Sequence, residues 1–253
     1  MSTLLETGAT FQDLQEFLRL EGCAVCRYAV QSCHRYFDTL LYEGANDPAV
    51  HARFEQGGAF CPLHGETLLA WRDALATALI YGNLVSQRRR LLAHWRSGGL
   101  HGRGPRAADV DRTLPGRDCP ACAAEREATT RACAVLAGGL RSGPLAAAWQ
   151  ASPGLCWPHF LTVRAQCAGP TRPLLDEVQD RGMGQLERDV RALAESFDYQ
   201  STIARTPEIE SAWRRSVDAV VGRSLSAHPE HSGTPRAARA AEGAKPDGVG
   251  PPA

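Results

Sequence analysis

Lysine is nearly absent from this chain. Lys245 stands alone among 28 basic residues, and arginine supplies the rest. We read this as a compositional habit that also favours Ala and Gly, not as a functional signal. Net charge is absent as well, because 28 acidic residues balance the 28 basic ones. No global field therefore draws nucleic acid or an anionic membrane. No apolar run is long enough to span a bilayer. The opening "MSTLLETGATFQDLQEFLRL" lacks a basic stretch followed by an apolar run, so a secretory signal is not expected. A soluble cytoplasmic protein is the expectation. Strand signals are missing, with no sustained alternation and no Asn-Gly hairpin. Catalytic signatures are missing too. There is no phosphate-cradling Gly loop, no Gly-x-Ser-x-Gly elbow and no His-Glu-x-x-His. The carboxylate pairs Asp176/Glu177 and Glu187/Asp189 lie among arginines and read as surface charge. An enzymatic role is not the favoured reading.

What the chain does have is cysteine, nine in 253 residues. That length allows one large or two small domains with a real core. In a reducing compartment, cysteines at close spacing read as metal ligands or redox thiols, not as a disulfide framework. They fall in four short motifs: "CAVC" at 23–26, "CPLH" at 61–64, "CPAC" at 119–122 and "CWPH" at 156–159. Cys23 and Cys119 are 96 residues apart, as are Cys26 and Cys122; Cys61 and Cys156 are 95 apart, as are His64 and His159. Such matched offsets predict a duplicated unit.

Zinc takes thiolate and imidazole in a tetrahedron, and three cysteines with one histidine form a closed, structural donor set. The expected ligands are Cys23, Cys26, Cys61 and His64 with Cys119, Cys122, Cys156 and His159, for two zinc ions. A helix after residue 24 followed by a return through 44–60 lets each half close its own site. A crossed pairing, with Cys23 and Cys26 joining Cys156 and His159, stays open. An iron–sulfur cluster is the less favoured cofactor, because histidine completes both sets and no ferredoxin-like third cysteine is near. A redox dithiol would leave the two Cys-x-x-His pairs unexplained. Cys33, Cys133 and Cys167 read as core residues. His34, His51, His94 and His101 read as surface or boundary residues.

The fold expectation is all-α, in two similar helical units with metal sites at helix N-termini, plus a C-terminal helix. The first unit is 1–96 and the second 119–226. Residues 97–118 read as a linker and 227–253 as a disordered tail. Apolar spacing predicts a helix from Cys26 to a stop at Gly44. One long helical run follows His64 as far as Arg96. "TPEIESAWRRSVDAVVGRSL" opens on Thr-Pro, a good helix entry, and its stripe of Ile209, Trp213, Val217, Val220 and Val221 is expected to dock.

These elements together resemble a bacterial domain-of-unknown-function family. That family carries Cys-x-x-Cys, Gly/Ala-Phe-Cys-x-x-His, a second Cys-x-x-Cys and Gly-Phe/Leu-Cys-x-x-His, then a long helix ending in Phe-Asp-Tyr and a last short helix. Here the final pieces are Phe197–Tyr199 and "SAWRRSVDAVVG", and the resemblance covers roughly residues 10–222. It implies the same eight site residues and boundaries, and no activity. The linker is longer than the pattern and the tail is additional.

On these grounds the expected function is a structural zinc-binding scaffold that meets a protein partner. A thiol- or metal-dependent redox enzyme or a metal-responsive sensor is the first alternative. A nucleic-acid binder using the basic turn "QRRRLLAHWR" is the second, disfavoured by the balanced charge.

Overall fold

The structure, a computed structural model, describes residues 2–57, 59–96, 119–141 and 143–222. The linker at 97–118, His101 and the tail at 227–253 lie outside the described residues. Among those residues the fold is all-helical, with no strand. The helices are α1 (Ser2–Phe17), α2 (Ala24–Thr39), α3 (Pro48–Gly57), α4 (Pro62–Ala70), α5 (Ala74–Arg96), α6 (Pro120–Gly139), α7 (Pro144–Gln150), α8 (Trp157–Gln166), α9 (Thr171–Glu195) and α10 (Pro207–Val221). A π-helical turn, Leu40–Gly44, ends the run begun by α2. Gly44 is thus the stop that the sequence predicts.

Two compact units form, and they differ from the consecutive units 1–96 and 119–226 expected from the sequence. The described parts of Met1–Cys33 and Ala124–Ser224 make the first, and those of His34–Ala123 the second. The boundaries fall inside α2 and α6.

The first unit holds a large apolar core. Leu14 of α1 and Leu18 just after it meet Val25 and Tyr28 of α2, Leu136 of α6, Leu145 and Trp149 of α7, Val163 of α8, and Leu175 and Val178 of α9. Tyr28 keeps its buried hydroxyl satisfied by Thr10 Oγ1 at 2.8 Å. Cys133 and Cys167 pack in this core, and Cys33 is buried as well.

The second unit is built on rings. Phe37 lies 5.1 Å from Phe60 and 6.5 Å from Trp71, and Phe54 lies 5.1 Å from Phe60 (centroid distances). His34 stands edge-on to Trp71 at 6.1 Å and is half-buried, a boundary residue at the rim of this cluster. His51 links elements through Ala45 O at 2.9 Å and Asn83 Nδ2 at 3.1 Å.

Three local expectations are corrected. The run after His64 is two helices, because Arg72 takes a left-handed backbone (φ 56°) and Asp73 Oδ1 accepts from Ala76 N at 2.9 Å, capping α5. The return through 44–60 contains α3, which opens on Pro48 with Asp47 Oδ1 accepting from Ala49 N. Most of the stripe on α10 stays exposed, and only Ile209 of it is half-buried. Ala212 is the buried residue of that helix, while Trp213, Val217, Val220 and Val221 are each more than half exposed. α10 packs along α9, and an ion pair joins them: Arg215 reaches Asp189 at 2.7 Å. Asp189 is therefore buried and paired, not surface charge.

Candidate metal centres

All four motifs use one local geometry. The first residue of each precedes its helix and its carbonyl accepts the first helical hydrogen bond: Arg27 N to Cys23 O, Gly65 N to Cys61 O, Ala123 N to Cys119 O and Phe160 N to Cys156 O. The fourth residue then sits in the first helical turn on the same side. Pro62 and Pro120 open their helices, where the missing N–H costs nothing. Gly22 (φ 86°) and Gly154 (φ 95°) make the turns that precede two of the motifs. Helix N-termini favour thiolate over thiol, so the backbone prepares these groups as ligands.

The pairs meet crosswise. Cys23 and Cys26 join Cys156 and His159, and Cys61 and His64 join Cys119 and Cys122; in each group the four ligand atoms lie within 4.8 Å of one another. The first group lies in the first unit and the second group in the second. The closing of each half on its own ligands is thus not what the chain does. Of the two pairings the sequence left open, the structure takes the crossed one.

The distances fit a tetrahedral ion. Sulfur at about 2.3 Å and nitrogen at about 2.0–2.1 Å imply edges of roughly 3.8 Å between sulfurs and roughly 3.5 Å from sulfur to nitrogen. In the first centre Cys26 Sγ is 3.7 Å from Cys156 Sγ, and His159 Nδ1 lies 3.5, 3.4 and 3.1 Å from the sulfurs of Cys23, Cys26 and Cys156. In the second, Cys61 Sγ is 3.7 Å from Cys122 Sγ, and His64 Nδ1 lies 3.1, 3.5 and 3.2 Å from Cys61, Cys119 and Cys122. Both histidines present Nδ1. No disulfide forms, as all nine cysteines are free. A sulfur separation of 3.7 Å is far beyond a bond of about 2.05 Å.

The protonation balance points the same way. Burial alone would raise the Cys23 thiol, but hydrogen bonds from Cys156, Cys26 and His159 hold it well below the ordinary cysteine range. Burial lowers His159, yet hydrogen bonds to Cys156 and Cys23 carry it up to about 10. Cys26 is raised, first by hydrogen bonds with Cys156 and Cys23 and then by burial. In the second centre burial and the Cys61 sulfur push Cys122 up to about 12, and burial lowers His64 towards neutral imidazole. Packing these donors together makes successive deprotonations hard, and a divalent cation removes that penalty.

Neighbouring residues that spacing does not reveal hold the ligands in place. Gln179 of α9 is buried and grips the backbone before Cys156: its Oε1 accepts from Leu155 N and its Nε2 donates to Leu155 O, both at 2.9 Å. Gly182 lets α9 pass so close that a Cβ there would stand 2.1 Å from Pro153 O. Phe37 lies 6.3 Å from the ring of the fully buried His64, and Phe60 packs on Phe37. Cys133 is not a ligand. Burial and the nearby Cys23 and Cys156 charges push it up to about 12. Gln179 sits on an ordinary polar helix position, so its role has no sequence signal. Asp47-Pro48 and Asp73 are cap signals that do exist in the sequence.

No family model matches the chain, and no solved structure matches it. Among curated proteins, 70 residues are 36% identical to an "Uncharacterized 23.9 kDa protein in xynA 3'region" of Caldicellulosiruptor sp. (strain Rt8B.4). The match takes in 28% of this chain and 34% of that protein, about a third of the relative's length. Among the described residues no helix is long and apolar enough to cross a membrane.

Proposed function

We propose that the protein is a structural zinc protein with two zinc ions, acting as a scaffold for a protein partner. One observation carries this reading: two four-donor sets of three thiols and one imidazole, each with tetrahedral edge lengths. Four protein donors leave no open position for substrate, which is the mark of a structural site, not a catalytic one. The eight residues Cys23, Cys26, Cys61, His64, Cys119, Cys122, Cys156 and His159 hold the metal. Thiolate-rich donors select zinc among the common divalent ions, and binding energy at such sites is folding energy. A cytoplasmic setting suits nine unbonded cysteines. The matched offsets support an internal duplication and a place in the bacterial family whose motif order the chain shares. The exposed apolar side chains on α10 support a partner surface.

Elemental analysis with circular dichroism tests the reading. About two zinc per chain, and helix lost on chelation, are expected. Purified protein without zinc, or helix content indifferent to its removal, refutes it.

A further inference from the structure

The end of α10 touches the first centre. Gly222 follows the last turn of α10, and its N–H is bonded to Asp218 O at 3.0 Å. A Cβ built there would lie 3.4 Å from Cys156 Sγ and 3.8 Å from Cys26 Sγ. The backbone of Gly222 is therefore laid against two of the three ligand sulfurs. It takes φ 83° and ψ 158°, a conformation essentially reserved for glycine. No glycine among the described residues approaches the sulfurs of the second centre in this way.

The helix carrying this residue lies closely along α9, yet it buries no large apolar side chain fully. Its apolar stripe faces outward and Ala212 is its buried residue. Arg215 does much of the holding. It pairs with Asp189 of α9 at 2.7 Å and reaches Glu21, in the turn before Cys23, at 3.3 Å. It also donates to Glu208 O. Elements with few buried apolar contacts open locally at low cost, while the rest of the fold stays closed.

We propose that α10 is a lid on the first centre: its docked end shields Cys26 and Cys156 and sets how fast that metal exchanges, leaving the second centre untouched. The inference rests on the zinc reading above. It assigns Arg215 and Gly222, neither of them a ligand, as positioning residues for one centre only.

The test mixes the zinc-loaded full chain with a chromogenic chelator and follows release. Arg215→Ala should speed one of the two release phases roughly tenfold, the scale of losing a partly buried charged hydrogen-bond pair. The other phase should keep its rate, and zinc content and helix content should match wild type. Gly222→Ala, which strains the same end, should act on the same phase. Trp213→Ala, on the exposed face, should change neither. Wild-type rates in both Arg215→Ala and Gly222→Ala, or equal acceleration of both phases, overturn the lid. If wild-type protein holds no zinc, the zinc reading fails separately. The lid is then judged by alkylation in Arg215→Ala. Faster reaction at Cys26 and Cys156, with Cys61 and Cys122 unchanged, supports it, and no difference overturns it.

Discussion

A cysteine just before a helix and a second donor three residues on is a complete half-site, and four copies make both centres. That is why the four pairs of candidate donors were legible from spacing alone: the geometry is local. Residues whose importance comes from a distant neighbour were not legible. Gln179 reads as an ordinary polar helix residue until its amide is seen clamping Leu155, one residue from Cys156. Replacing it by Ala leaves two buried backbone groups unpaired, and about 2–4 kcal/mol of stability should be lost. Denaturant unfolding of the zinc-loaded protein measures this, and a loss under about 0.5 kcal/mol would show that the clamp is dispensable. Gly182→Ala should cost about 1–3 kcal/mol as overpacking, because its Cβ meets backbone at Pro153 and not a movable side chain.

Helices were easier to foresee than their faces. The long apolar periods of α2, α6, α9 and α10 marked them, while α3 and the break between α4 and α5 were hidden. There the signals are caps, Asp47-Pro48 and Asp73, inside stretches that otherwise look featureless or continuous. The stripe of α10 misled because apolar period reports a face, not what covers it. Ala212 is buried and Arg215 is paired on the other face instead. The Asp189 carboxyl carries a testable sign. Burial would raise it, but hydrogen bonds from Arg215 and Gln185 leave it below the ordinary aspartate value. A depressed carboxyl stabilises above its unfolded pKa of about 3.9, and that stability is lost as pH falls through the folded value. The protection factors of α10 amides, corrected for intrinsic exchange, should therefore fall below about pH 4. Asp189→Asn should reproduce that loss of protection at neutral pH. Unchanged protection of α10 in Asp189→Asn would mean the pair does not hold the helix.

Over the whole chain, the two motif types alternate along the sequence, while the described part of the second compact unit is a single segment set within the first in chain order. Cys-x-x-Cys of the first half meets Cys-x-x-His of the second, and the reverse. No spacing rule decides this, since either pairing satisfies the same local half-sites. The decision lies in long-range packing, where the α1, α2 and α6–α9 core gathers Cys23 with Cys156. Crossed centres tie segments 130 and 61 residues apart at their sulfur pairs. Closing such long loops would make a metal bound at either group count towards the fold of its unit. The most direct test is His159→Ala, loaded with zinc, alkylated briefly and mapped by mass spectrometry. Crossed ligation should leave one zinc bound and make Cys23, Cys26 and Cys156 reactive, with Cys61, Cys119 and Cys122 protected. Reactive Cys119 and Cys122 beside protected Cys23 and Cys26 would mean that each half closes on itself, and the crossed architecture would be wrong.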